Sequence, residues 1–146
     1  MYPGLLFFHS FNRYIVLLLL VLVIIFSFHG FIRKRSYLKA DRFLLTFLTS
    51  FSHLQLTLGI ILYFISPWVI FNADTMKNQM FRYWTVEHLL MMLLAVVFIS
   101  IPGLSVKRLK NNLQQHRRTF IWTSLSLLFI ITTIVLSQRP FFSLPV

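Results

Sequence analysis

The sequence predicts an all-α integral membrane protein, a four-helix up-down-up-down bundle with both termini outside the membrane. Apolar residues make up 58 % of the 146 positions and charged residues 12 %, about half the ~25 % that covers a soluble domain. Four charge-free runs approach or exceed the ~20 residues that cross a hydrocarbon core. The 14 Lys and Arg fall mostly in short blocks between those runs. That placement sets aside the nucleic-acid partner that a net charge of +11 would otherwise suggest. An aromatic content of 17 % excludes a disordered chain. Without Cys there are no disulfides, iron–sulfur clusters or thioether-linked haem.

The first span is expected over about residues 6–32, charge-free from 14 to 32. It is too long for a cleavable signal peptide, and a single basic residue precedes it. The second, over about 43–66, lies in a run uncharged to residue 73; Pro67 disfavours helix at Ser66 and marks the exit. Loop two follows, with a short interfacial helix expected around 73–80. The third span is expected over 83–106 and the fourth over 118–138, in a single domain covering 1–146.

Loop 33–42 carries Arg33, Lys34, Arg35, Lys39 and Arg42, and loop 103–118 carries Lys107, Arg108, Lys110, Arg117 and Arg118. These ten stand against four on the other side, Arg13, Lys77, Arg82 and Arg139. The positive-inside rule then places both loops in the cytoplasm and both termini outside, in a bacterial cytoplasmic membrane. Tyr14, Tyr63, Trp68, Tyr83 and Trp84 read as an interfacial aromatic belt.

Lipid does not drive apolar faces together, so small and polar residues mark helix contacts. Helix four carries Thr119, Thr123, Ser126, Ile130, Thr133 and Ser137 in one stripe that His116 extends by a turn. Helix two offers Thr46, Ser50, His53 and Thr57, and helix three His88, Met92, Ala95 and Ile99. Each inward stripe so read carries one histidine.

An ionisable group at membrane depth is costly and needs a partner. His53 lies ~16 Å beyond Arg42 at 1.5 Å per residue, near the midplane. His9 and His88 fall in the same outer leaflet on co-directional helices, which are diagonal in an up-down bundle. Two such imidazoles can take opposite faces of one haem iron. His9 and His88 are therefore the first-choice ligand pair and His53 the reserve. Other readings stand beside these. His9 is also suited to an interfacial, hydrated position. His88 is suited to an interfacial ion-pair cluster with Arg82 and Glu87, and His53 to a hydroxyl of helix four. His29 reads as a snorkelling end residue, and His116 as part of a solvated basic cluster with Arg117 and Arg118. Zinc wants four close ligands, and a di-iron site wants several inward Glu residues; with one Glu and no closely spaced His pair, separated histidines suit haem b better. Arg13, Arg82 and Arg139 suit propionate pairing or plain interfacial anchoring. His53 with Gln55 is alternatively a quinone-headgroup pair.

The segments His9-Ser-Phe-Asn-Arg-Tyr14, His53-Leu-Gln-Leu-Thr-Leu-Gly-Ile-Ile-Leu-Tyr-Phe64, Arg82-Tyr-Trp-Thr-Val-Glu-His88 and His116-Arg117-Arg118 resemble a family of small bacterial four-helix membrane proteins labelled cytochrome b-like. The resemblance spans nearly the whole chain and implies haem b and electron transfer. A looser likeness, carried by His9, Glu87 and His88, is to one half of haem A synthase. The expected function is a membrane b-type cytochrome or cytochrome subunit, served by quinone or a larger respiratory complex. The alternative is an accessory subunit of a membrane complex with no cofactor.

Overall fold

A computed structural model describes residues 1–137. Among them are four helices long and apolar enough to cross a membrane: α1 (Tyr2–Ile32), α2 (Lys39–Ile65), α3 (Gln79–Arg108) and α4 (Asn112–Leu136). Each begins earlier than the hydropathy suggests, and polar side chains start three of the four. Pro3 opens α1 where a helix has no use for the missing N–H. The Asp41 carboxylate accepts from the Leu38 amide at 2.8 Å and starts α2. Asn78 Oδ1 accepts from the amides of Met80 at 2.9 Å and Phe81 at 3.3 Å, which starts α3. Asn111 Oδ1 accepts from the Leu113 amide at 2.8 Å, which starts α4. The short helix expected around 73–80 is instead a run of turns up to Asn78. Thr75 Oγ1 donates there to the Ile70 carbonyl at 2.6 Å, and that closed turn replaces a helical one.

The principal interfaces are α1 with α2, α2 with α3, α3 with α4 and α4 with α1, so α1 and α3 are diagonal, as are α2 and α4. Contacts along these interfaces pair opposite ends of the helices. Asn12 meets Phe51 and Gln55, Gly30 meets His116, Tyr63 meets Thr85, and Tyr83 meets Thr133. The central layer is Val16, Leu20 and Val23 on α1, Leu45 and Leu48 on α2, Ala95 and Ile99 on α3, and Ile130 and Ile134 on α4. Ser126 Oγ donates to the Ala95 carbonyl at 2.9 Å in the buried seam between α3 and α4. Small side chains at both positions allow that approach, the packing mode expected where lipid offers no hydrophobic gain.

The α4 stripe of the sequence is the buried face of that helix: His116, Thr119, Thr123, Ser126, Ile130 and Thr133 all point inward. The α2 stripe is a correction. Thr46, Ser50, His53 and Thr57 are exposed, and the inward face carries Leu45, Leu48, Ser52 and Leu62. Thr46 and Thr57 donate to carbonyls one turn back at 2.8 and 2.9 Å, and His53 Nδ1 sits 2.8 Å from the Thr49 carbonyl. Side chains satisfied by their own helix can face outward, so their polarity does not report a helix contact. Tyr83 also departs from the expected aromatic belt: it is 5 % exposed.

At the end of the bundle that holds the basic loops, Arg35 grips both oxygens of Asp41 at 2.7 and 2.9 Å. This bond holds the guanidinium above its ordinary range. The Tyr37 phenol is pushed up, mainly by burial.

Candidate functional site

One cavity brings together residues from all four helices, among them His9, Arg13, Gln55, Gly59, Tyr83 and His88. It encloses about 180 Å³, far above the roughly 10–15 Å³ that one water needs. Its deeper walls are aliphatic, including Val16, Leu62, Met92, Ile99 and Ile130. Both first-choice ligands of the sequence reading line it. His53 does not, and its side chain is exposed on the outer face of α2. Arg13 lines the cavity, while Arg82 is drawn to Glu87 at 2.7 Å. Gln138 and Arg139 lie outside the described residues.

His9 reaches the cavity from α1 and is held there by a chain of amides. Asn12 Nδ2 donates to the Phe51 carbonyl at 3.1 Å and to Gln55 Oε1 at 2.8 Å. Gln55 Nε2 donates to the His9 carbonyl at 3.0 Å and faces His9 Nε2 at 3.2 Å. The chain is directional. Asn12 uses its NH₂ as donor, which fixes the Gln55 oxygen toward Asn12 and the Gln55 NH₂ toward His9. His9 Nδ1 is buried with no hydrogen-bond partner. Beside the ring lies Gly59, where a Cβ would stand 3.1 Å from His9 Cε1. A side chain at this position would crowd the ring, which glycine avoids.

His88 arrives by a different device. Residues Tyr83–Glu87 form a π turn inside α3. A wider turn of this kind brings residues five apart onto one side, whereas in an α-helix they diverge by about 140°. Two such pairs meet here: Arg82 with Glu87 at 2.7 Å and Tyr83 Oη with His88 Nδ1 at 3.4 Å. The Tyr83 hydroxyl donates to the Thr133 carbonyl at 2.7 Å. With that proton committed, the Tyr83 oxygen can accept from His88 Nδ1 when that nitrogen carries the proton. Trp84 packs its ring 5.2 Å from the imidazole.

His116 is a second correction. The expected solvated cluster is not where it sits; its side chain is 0 % exposed, and neither ring nitrogen makes a hydrogen bond. A Cβ at Gly30 would overlap the ring, and the Tyr37 ring packs against it tilted by 57°, centroids 4.9 Å apart. Arg117 and Arg118, its neighbours in sequence, are exposed. The helix therefore turns its basic residues out and its imidazole in. His116 does not reach the cavity of His9 and His88.

The donor set fits a haem. Imidazoles from diagonal helices line one cleft with apolar walls, one buried ring nitrogen has no protein partner, and a glycine clears the space beside that ring. Among the described residues no group of three or more His, Cys, Asp or Glu is placed to hold a bare metal ion. Asn12, Gly59 and Tyr83 are the site residues that the sequence reading missed. An amide close to a charge-free run and a glycine one and a half turns after His53 were the available signals for two of them. The π turn that brings Tyr83 to His88 has no such signal. No protein family, curated protein or solved structure matches the chain.

Proposed function

We propose that the chain is a membrane b-type cytochrome, or the cytochrome subunit of a larger membrane complex, that holds haem b between His9 and His88. The observation that carries this reading is the shared cavity: two histidines separated by most of α1, all of α2, two loops and the first turns of α3 line one cleft. The resemblance to cytochrome b-like proteins agrees with it. Haem, when bound, supplies one-electron redox chemistry tuned by its ligands and by burial. His9 and His88 would hold it, Arg13 stands in the cavity wall where a propionate could pair with it, and the apolar walls would keep water away. An electron donor dissolved in the bilayer, such as a quinol, or a partner subunit then serves the site.

In this reading the bundle runs up-down-up-down in a bacterial cytoplasmic membrane, supported by the contacts between opposite helix ends. Both termini lie outside and the loops 33–42 and 103–118 in the cytoplasm, supported by the split of basic residues. The test is an absorption spectrum of detergent-purified protein, oxidised and dithionite-reduced, with haem counted per chain. A low-spin haem b spectrum is expected, lost in His88→Ala and weakened in His9→Ala, with His53→Ala unchanged. A protein that stays colourless after haem supplementation overturns the reading and leaves the accessory subunit. So does a wild-type spectrum in both the His9 and His88 variants.

A further inference from the structure

Helix α2 presents to the membrane what the other three helices do not. Every exposed side chain over residues 14–28 of α1, 89–105 of α3 and 119–136 of α4 is apolar. Over residues 43–64 of α2, four exposed positions are polar: Thr46, Ser50, His53 and Thr57. His53 stands at the middle of its span, where an ionisable side chain turned toward lipid is costly. We propose that this face of α2 is the interface with a second copy of the chain, closed by reciprocal hydrogen bonds between Ser50 and His53. The contact is independent of the haem reading above.

Bonds within α2 account for part of this polarity and leave two groups over. Thr46 and Thr57 donate to carbonyls one turn back, and His53 Nδ1 lies 2.8 Å from the Thr49 carbonyl. A carbonyl only accepts, so Nδ1 carries a proton, and the neutral ring keeps its lone pair on Nε2. That nitrogen is an acceptor with no donor among the described residues, and the Ser50 hydroxyl is a donor with no acceptor among them. The two stand three residues apart, ~4.5 Å along one face of the helix. Hydrocarbon satisfies neither, so each forgoes a hydrogen bond that a suitable neighbour would restore.

A second copy brings both missing groups. Two copies inserted alike are related by a rotation about the membrane normal, so their α2 helices run in the same direction and present the same surface to each other. Along such a seam a side chain meets its own counterpart and residues one turn away. Ser50 of each copy then donates to His53 Nε2 of the other, and two hydrogen bonds form where there were none. Thr46, Ser50, His53 and Thr57 follow one another at steps of four, three and four, the spacing that keeps side-by-side helices in contact. The hydroxyl residues among them are small enough to let the helices approach. An unrelated subunit would have to supply a matching donor and acceptor of its own.

The chain has no Cys, so an introduced one is its only thiol. Thr57→Cys lies on the seam but outside the hydrogen-bonded pair. Leu18→Cys on α1 and Leu93→Cys on α3 are exposed controls near the middle of their spans. Oxidation with copper phenanthroline in the native membrane is expected to link Thr57→Cys into a dimer and to leave both controls monomeric. His53→Leu keeps the bulk and removes the acceptor. It should weaken association in detergent about 10-fold, the worth of two interhelical hydrogen bonds, as read by fluorescence transfer between labelled copies. Ser50→Ala removes the donor, should act in the same direction, and serves if His53→Leu does not fold. Its helix content and monomer melting should match the wild type, which separates a bond between copies from one within α2. Three outcomes overturn the proposal. They are a monomer from Thr57→Cys, as when lipid or another protein covers this face; equal linking at all three positions; and association unchanged by His53→Leu and Ser50→Ala.

Discussion

Replacing Gly30 with Ala tests the packing of the buried His116. A Cβ at Gly30 would overlap three ring atoms of that imidazole, Cε1, Nδ1 and Nε2. The ring has no room to retreat, since it is 0 % exposed and the tilted Tyr37 ring packs against it with centroids 4.9 Å apart. Overpacking of this kind costs about 1–3 kcal/mol. Alanine returns up to ~1 kcal/mol over glycine in a helix interior. The net expectation is a loss of up to about 2 kcal/mol, the difference of those two terms. Gly4 on the same helix is the control: no atom lies within 4 Å of a Cβ there, so Gly4→Ala should stay within about 0.5 kcal/mol of wild type. In a His116→Ala background the methyl enters vacated space, and Gly30→Ala should become harmless or favourable, a coupling of about 1–3 kcal/mol. Denaturation of the wild type and the four variants in detergent, followed by circular dichroism, measures each difference. Equal behaviour of the Gly30 and Gly4 variants, or the same loss with and without His116, would refute the packing described.

Other expectations follow from the same contacts. Ser126→Phe should lower thermal stability strongly, because Ser126 is 0 % exposed against the Ala95 carbonyl, whereas Leu128→Phe should be mild at 60 % exposure; equal shifts in melting temperature would contradict the assigned face. Asp41→Ala should cost about 1–2 kcal/mol in detergent unfolding, since one carboxylate both caps α2 and binds Arg35. Tyr37 is held protonated in the fold by burial, so the stability it contributes is present below the ordinary tyrosine pKa of ~10 and declines as pH rises above it. Alkaline unfolding curves should therefore flatten in Tyr37→Phe. Reporter fusions after Val146 and in loop 103–118 should report outside and cytoplasm respectively, and a cytoplasmic signal from the C-terminus would reverse the orientation.

The α4 face was legible in the sequence because its hydroxyls and its histidine recur every three or four residues and are too small or too polar to face lipid. The similar pattern on α2 misleads. Thr46, Thr57 and His53 each bond to the turn before them, so polarity there carries no information about packing within the bundle. The level of His9 and His88 could be counted from span centres at a fixed rise per residue, which is why the sequence reading paired them. The solvated reading of His116 failed because two exposed arginines follow it: adjacent residues in a helix point about 100° apart, and a charged neighbour says little about where the next side chain lies. Gln55 stood out as an amide inside an apolar run, but its grip on His9 depends on Asn12, 43 positions earlier. No local pattern encodes that pairing.

The π turn in α3 carries one residue more than a regular helix would need for the same rotation. A chain shortened by one residue there, for instance at the exposed Val86, would keep its hydrophobic length nearly intact. Its first turn would be rotated instead, by about 100°. Tyr83 would swing off the Thr133 carbonyl and away from His88, Arg82 would lose Glu87, and the Asn78 cap would face a different neighbour. The Gln79 end of this helix is thus indexed to the rest of the bundle by a single inserted position. An insertion or deletion here would change the phase of the helix while leaving its composition almost untouched.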